Sequence, residues 1–128
     1  MPRRKLLVVD DDPDIRRIAA LALERIGGFQ VALAEDAGGA LESAARDPPD
    51  LVLLDVSMPG TDGPAALAAL RALEATARVP VVFFTAASSD AEVQRLLGLG
   101  AVAVVPKPFD VAELPRRIRA ILGGLGLD

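Results

Sequence analysis

The sequence predicts a doubly wound α/β fold in which five strands alternate with five helices, (βα)₅, around a parallel sheet. Two observations lead to this fold class. Short continuous apolar runs recur along the 128-residue chain, and such runs are typical of parallel strands buried on both faces. Between them lie stretches whose apolar residues recur every three or four positions, which is the spacing of one helix face.

The predicted strands are the five apolar runs. In chain order they are 6–9, 31–33, 51–54, 79–84 (with Pro80 near its start) and 102–105. The amphipathic stretches that alternate with them are the predicted helices. The apolar face of the first helix consists of Ile15, Ile18, Ala19, Ala22, Leu23 and Ile26. That of the last consists of Val111, Leu114, Ile118, Ile121 and Leu122.

Residues typical of helix starts stand at three predicted boundaries. Asp12, followed by proline, fits an N-cap with proline at the first helical position. Ser89 with Glu92 fits a capping box, and Asp110 with Glu113 resembles one with aspartate as the cap.

Glycines fit the ends of helices, and the chain is short enough for a single domain. Gly27, Gly28 and Gly98 fit helix stops. We expect one domain over residues 1–122, followed by a flexible tail or the start of a linker over 123–128.

Composition excludes several classes of protein. Apolar residues make up 52% and charged residues 25%, which indicates a globular domain. There is no cysteine or histidine, so disulfides, thiolate or imidazole metal sites and a Ser-His-Asp triad are excluded. The net charge of −4 offers no broad basic surface to nucleic acid, and no run is long enough to span a membrane. We expect a soluble, cytoplasmic protein with no direct contact to nucleic acid or membrane.

Polar side chains stand where four of the apolar runs end. These residues are Asp10, Asp11 and Asp12, then Asp55, Thr85 and Lys107. The carboxyl ends of parallel strands meet at one edge of a sheet, where open α/β sheets bind ligands. Crowded carboxylates repel one another, and Mg²⁺ relieves the repulsion while one carboxylate attacks phosphorus. A lysine and a hydroxyl would neutralise the phosphoryl oxygens, so the pattern predicts phosphoryl transfer to a carboxylate.

Each of these residues has a simpler explanation when taken alone. Asp10 to Asp12 fit a turn and a helix cap, Lys107 fits a solvated loop, and a threonine such as Thr85 at a strand end is usually structural. Asp55, after four aliphatic residues, indicates a site more strongly. Only the combination, with each residue at a strand end, favours a functional site.

Four sequence blocks resemble the motifs of bacterial response-regulator receiver domains, which include the chemotaxis regulators. They are LVVDDDPDIR at 7–16, LDVSMPGTDG at 54–63, FFTA at 83–86 and KPF at 107–109. The blocks occur in order over essentially the whole chain. The resemblance implies a flavodoxin-like sheet of strand order 2-1-3-4-5 with helices on both faces. It also implies a phosphorylation-activated module of a two-component system.

The resemblance assigns the acidic residues to phosphorylation and to metal binding. Asp55 resembles the phospho-accepting aspartate. Mg²⁺, for which Mn²⁺ is an expected substitute, would be held by Asp55, directly by Asp11, by Asp10 mostly through water, and by the backbone carbonyl of Ser57. Asp12 is then left as the helix cap. A domain of this kind catalyses its own phosphorylation and dephosphorylation and is not a turnover enzyme.

The remaining motif residues are implied to form the switch. Thr85 resembles the hydroxyl that binds the phosphoryl group, and Ala86 is the small residue beside it. Lys107 resembles the lysine that contacts the phosphate, with a cis bond to Pro108. One position departs from the family, because Val104 stands where the family usually has Tyr or Phe.

Further positions bear on signalling and on the lifetime of the phosphoryl group. Val102 and Ala103 replace residues that are often polar in the family, so the face formed by the fourth helix, fifth strand and fifth helix is expected to signal atypically or to bind a partner through an apolar patch. Ser57 and Ala87 line the mouth of the site in the family. Both are small and uncharged, so we expect access of water to set that lifetime.

Several functions remain open at this stage. The expected phosphoryl donor is a sensor histidine kinase or a histidine phosphotransfer protein. A homodimer that forms on phosphorylation is one expected response, and the downstream effector is unknown. One alternative is a receiver fold used purely for binding or dimerisation, which Val104 favours. A phosphohydrolase of the haloacid-dehalogenase type would need Asp-x-Asp-x-Thr after the first strand, whereas the chain has Asp10 to Asp14 with a proline among them. An FMN protein would need a Ser/Thr/Gly-rich loop after the first strand and aromatic residues beside the flavin. This chain has three aspartates at that place and no Tyr or Trp, which argues against FMN.

Overall fold

The computed structural model describes residues 3–58, 62–86 and 89–127. Its strands are β1 (Lys5–Val9), β2 (Gln30–Ala34), β3 (Leu51–Asp55), β4 (Val81–Thr85) and β5 (Ala103–Pro106). Its helices are α1 (Pro13–Leu21), continued by a π-helical turn (Ala22–Ile26), then α2 (Ala37–Arg46), α3 (Gly63–Ala72), α4 (Asp90–Gly98) and α5 (Glu113–Gly124). The strands pair in parallel in the order β2-β1-β3-β4-β5. The predicted fold class and strand order are confirmed.

The sheet carries a hydrophobic core on each face, because successive side chains of a strand point to opposite sides. In β1, Leu7 and Val9 face a core completed by α2, α3 and α4, whereas Leu6 and Val8 face one completed by α1 and α5. The central strands β3 and β4 are buried along their whole length, and the edge strands β2 and β5 are only partly buried. The apolar runs of the sequence are thus most continuous where the sheet is covered on both faces.

The predicted apolar face of the first helix is wrong at two of its residues. Ile18 and Ile26 are exposed, whereas Ala19 and Leu23 are buried. The π-helical turn explains Ile26, since the Gly27 N–H donates to a carbonyl five residues back and one extra residue enters the turn. Gly27 therefore takes the buried position, where a Cβ would lie 2.8 Å from the Phe29 ring. Ile18 lies at the margin of the stripe that packs on the sheet.

The predicted caps Asp12 and Ser89 are confirmed, whereas the predicted cap Asp110 is wrong, because α5 begins at Glu113 with Ala112 at its N-cap. The Asp12 carboxylate accepts from the Asp14 N–H, and Ser89 Oγ accepts from the Glu92 N–H. The Asp110 carboxylate accepts from the N–H groups of Ala112 and Glu113 just before α5.

Of the predicted helix stops, Gly28 is confirmed and Gly98 is wrong. Gly28 has a positive φ of 74° after the π-helical turn, as expected of a stop. Gly98 is still helical, and the positive φ of 113° falls on Gly100 instead. The last helix continues to Gly124, and Leu127 packs against the core, so the domain boundary at residue 122 stays a prediction. Within the described ranges, no helix has the length and apolar character needed to cross a membrane.

Candidate functional site

A cavity lies at the carboxyl edge of the sheet, where the predicted site residues meet. Asp55 is the last residue of β3, Thr85 is the last residue of β4, and Asp10 directly follows β1. The cavity has a volume of about 400 Å³. Its wall is formed by Asp10, Asp11, Asp12, Asp55, Val56, Ser57, Thr85, Ala86, Glu92 and Lys107. Four strands therefore deliver their terminal polar groups to one place, as the sequence predicted.

Three carboxylates in this wall form a potential cation site. Asp10, Asp11 and Asp55 each offer one oxygen, and these oxygens lie within 4.8 Å of one another. Asp10 and Asp55 are buried, whereas Asp11 is exposed to the cavity mouth. Oxygen ligands at this spacing, with one side open to solvent, suit Mg²⁺, which keeps several waters and prefers few carboxylates. The residues present therefore fit the metal that the sequence predicted.

Lys107 joins the two buried carboxylates. Its Nζ lies 2.7 Å from Asp10 Oδ2 and 3.1 Å from Asp55 Oδ1. The same Nζ lies 5.1 Å from the centre of the Phe84 ring, and Phe84 packs against Phe109 with ring centres 5.1 Å apart. The lysine is thus fixed between two anions and an aromatic face. The bond from Lys107 to Pro108 is cis, as predicted.

The surroundings of Asp55 make its charged form less favourable than that of a carboxyl group in water. Burial and the nearby Asp10 carboxylate raise the pKa of Asp55 above its ordinary value, and Lys107 offsets only part of this. For Lys107, burial acts to lower the pKa, but the hydrogen bonds to Asp10 and Asp55 outweigh it, and the net direction is upward. The lysine is therefore firmly cationic, while the site still carries more negative charge than one lysine neutralises.

Backbone hydrogen bonds fix the ends of the strands that carry the acids. The Asp12 N–H donates to Asp10 Oδ1 at 2.9 Å, and the Ser57 N–H donates to Asp55 Oδ1 at 3.3 Å. The Gly63 N–H, at the start of α3, donates to the Val56 carbonyl at 2.7 Å. A Cβ at this glycine would lie 2.6 Å from the Asp55 carbonyl oxygen, so only glycine allows the helix to approach so closely.

The other predicted residues occupy different parts of the site. Thr85 is buried in the cavity wall, and Ala86 next to it is exposed. Ser57 also lines the cavity, while Ala87 lies outside the described residues. Val104 lies on β5, half-buried against the core and away from the cavity wall.

The structure adds a residue that sequence reasoning did not place in the site. Glu92 lines the cavity from α4, and its carboxylate binds Arg95 through contacts of 2.6 Å and 3.0 Å. The hydrogen bond from Arg95 lowers the pKa of Glu92. In the sequence Glu92 is explained by the capping box alone. Only the packing of α4 on the sheet shows that this acidic residue also lies beside the strand ends.

Comparison with known proteins identifies the family to which this chain belongs. The family model for the response regulator receiver domain matches residues 6–119. The chain is 42% identical over 130 residues to the transcriptional activator protein PfeR of Pseudomonas aeruginosa, covering 100% of this chain and 41% of that protein. It is 42% identical over 118 residues to the transcriptional regulatory protein PrrA of Mycobacterium tuberculosis, covering 92% and 49%. The chain thus spans about half the length of these curated relatives.

Solved structures agree with this assignment. The chemotaxis response regulator CheY4 of Vibrio cholerae superposes with a TM-score of 0.87 at 28% identity, covering 94% of this chain and all of that one, 100%. A response regulator from Chloroflexus aurantiacus superposes with a TM-score of 0.86 at 30% identity, covering 95% and 99%. Since the family model matches most of the chain and includes all four strand ends of the site, the chain belongs to the response regulator receiver domain family.

Proposed function

We propose that this receiver domain accepts a phosphoryl group on Asp55 in a reaction that needs a divalent cation, Mg²⁺ or Mn²⁺. The observation that carries the proposal is the cluster of Asp10, Asp11 and Asp55 oxygens within 4.8 Å, with Lys107 bridging two of the acids. Asp55 is buried and is repelled by the carboxylate of Asp10, and a bound cation would relieve that repulsion.

In the proposed reaction an Asp55 carboxylate oxygen attacks phosphorus and forms an acyl phosphate. The bond from phosphorus to the donor breaks, and its electron pair leaves with the donor group. Lys107 then binds the phosphoryl oxygens in place of its contact with Asp55, and the Thr85 hydroxyl binds from the next strand. A cation held by Asp10, Asp11, Asp55 and the Ser57 carbonyl would neutralise charge that develops on those oxygens.

These 128 residues contain no histidine, so a donor phosphohistidine would lie outside them. We propose a sensor histidine kinase or a histidine phosphotransfer protein in the cytoplasm as the physiological source, and small acyl phosphates as substitutes in vitro. The relatives PfeR and PrrA are transcriptional regulators about twice as long as this chain. The output of this domain is proposed to be a partner surface that changes on phosphorylation, including a surface for a second copy.

The test is the intact mass of the protein after incubation with acetyl phosphate and Mg²⁺. We expect the mass of one phosphoryl group to be added, and none to be added to Asp55→Asn or to a metal-chelated sample. Because a short-lived adduct escapes mass measurement, beryllofluoride binding is measured in parallel as a shift in melting temperature. A protein that shows neither response contradicts the proposed function.

A second candidate is a binding or dimerisation module with atypical switching. Val104 favours it, because this short aliphatic residue is already half-buried against the core and has no ring to move between two positions. The two candidates are distinguished by comparing the oligomeric state with and without beryllofluoride. A dimer that is unaffected by beryllofluoride favours the second candidate.

A further inference from the structure

Arg16 makes an unusual contact for a residue on the second turn of a helix. Its Nη1 donates to the carbonyl oxygen of Asp10 at 2.6 Å, while its own N–H donates to the Asp12 carbonyl at 3.1 Å as part of α1. One residue therefore holds the loop between β1 and α1 from both ends. The Arg16 side chain is partly buried in reaching this position.

The contact completes a set of hydrogen bonds around Asp10. Its N–H donates to the Ala34 carbonyl, its Oδ1 accepts from Asp12, and its Oδ2 accepts from Lys107. The guanidinium occupies the one remaining polar group, the carbonyl. Because that carbonyl belongs to the peptide between Asp10 and Asp11, Arg16 fixes the plane from which the Asp11 side chain departs.

Asp11 depends on this support more than its neighbours do. Within the part of the chain that the structure describes, its exposed side chain takes part in no hydrogen bond or ion pair, yet its oxygen lies within 4.8 Å of those of Asp10 and Asp55. A carboxylate with no partner of its own keeps such a position through the backbone alone. The backbone at this point is held by Arg16.

We propose that Arg16 is a positioning residue for the cation site and acts by holding the peptide between Asp10 and Asp11. The proposal rests on the proposed function and deepens it, since it assigns the geometry of the metal ligands to a residue outside the cavity wall. Loss of the contact frees the Asp11 carboxylate to turn into solvent, and the cation then loses a ligand held in place.

The positive charge of Arg16 acts on cation affinity in the opposite direction to its positioning of Asp11, so a substitution distinguishes the two roles. A guanidinium near a cation site repels the cation, so a purely electrostatic role predicts tighter binding when Arg16 is removed. A positioning role predicts weaker binding. Arg17 is the matched control, because it carries the same charge on the same helix but is exposed and binds Asp14 at 3.2 Å.

The experiment is calorimetric titration of the full chain with MgCl₂, since the chain has no Trp or Tyr to report binding by fluorescence. We expect Arg16→Met to raise the Kd for Mg²⁺ about tenfold, the equivalent of one charge-assisted hydrogen bond. Arg16→Lys keeps a donor of similar length and is expected to remain within about threefold of the wild type. Arg17→Met is expected to bind as the wild type does or slightly more tightly.

Two further measurements separate positioning from loss of fold. The melting temperature without metal is expected to be similar for Arg16→Met and Arg16→Lys, so their difference in Kd does not come from folding. The rate of phosphorylation by acetyl phosphate is expected to recover in Arg16→Met at saturating Mg²⁺. Unchanged or tighter Mg²⁺ binding by Arg16→Met, or no rescue by Arg16→Lys, overturns the inference alone. A wild-type protein that binds no Mg²⁺ overturns the proposed function and the inference together.

Discussion

At the scale of single residues, the charge on Asp55 works against the fold until something neutralises it. Its pKa is raised by burial and by Asp10, so the folded state binds a proton more readily than the unfolded chain does. Between the ordinary value of 3.8 and the raised value, the folded state holds more protons, and stability falls as pH rises. The destabilisation is complete above that window and absent below it.

We predict that Asp55→Asn raises the melting temperature of the metal-free protein at pH 7. The amide imitates the protonated carboxyl, so it removes the repulsion from Asp10 and the cost of burying a charge. Thermal unfolding followed by circular dichroism from pH 3 to pH 8 is the measurement, and the two melting curves should converge below about pH 4. A variant that is less stable than the wild type at pH 7 would show that the lost contact with Lys107 outweighs the relief.

Glu92 gives a second prediction at this scale. Acetyl phosphate is an anion, and a carboxylate at the cavity mouth repels it, so Glu92→Gln is expected to raise the rate of phosphorylation about two- to fivefold at low salt. The gain should shrink at high salt because of screening. Glu42→Gln is the control, since it removes the same charge from an acid that pairs with Arg46 on α2 and does not line the cavity. An equal gain in both variants would assign the effect to net charge.

At the scale of elements, the close approach of α3 to the end of β3 positions Asp55. Gly63 is the first residue of this helix, and a Cβ there would meet the Asp55 carbonyl at 2.6 Å and the Val56 Cα at 2.7 Å. Both are backbone atoms, which cannot turn aside as a flexible side chain does. The helix and the strand end therefore move together.

We predict that Gly63→Ala destabilises the domain by about 2–3 kcal/mol. It should also slow phosphorylation, because relief of the clash displaces the residue that carries the carboxylate. Gly98→Ala is the matched control, since a Cβ there meets nothing within 4 Å, and it is expected to be neutral or to stabilise by up to about 1 kcal/mol. Urea unfolding of both variants checks the pair. Similar stabilities for the two would contradict the packing at Gly63.

The elements also show how far the sequence predicts the structure. The strands, the caps and the strand-end acids follow from local pattern, because periodicity and turn chemistry are local properties. The exposure of Ile26 does not, since the π-helical turn inserts one residue and places Gly27, in place of Ile26, against Phe29. The place of Glu92 in the cavity wall does not follow either, because it depends on how α4 lies across the sheet.

At the scale of the whole molecule, binding of the proposed cation would be coupled to folding. A ligand that binds only the folded state stabilises it by RT ln(1 + [L]/Kd), about 2.7 kcal/mol at a hundredfold excess over Kd. We predict that Mg²⁺ raises the melting temperature of the wild type and that Asp11→Asn largely abolishes the rise. Differential scanning calorimetry with and without MgCl₂ is the measurement. An Asp11→Asn protein that shows the full rise in melting temperature with Mg²⁺ would show that Asp11 is not a ligand of the cation.

The contact of Lys107 with the acids spans a large part of the chain, 97 residues to Asp10 and 52 to Asp55. During synthesis the three carboxylates leave the ribosome long before the lysine does. A nascent chain that ends before β5 has the proposed acceptor and the other acids but lacks Lys107, which follows β5 and is proposed to bind the phosphoryl oxygens. In the proposed reaction such a fragment is not a substrate. If Asp55 is the acceptor as proposed, we expect a phosphoryl donor to act only on copies of the domain that already include Lys107, so that shorter fragments do not consume the donor.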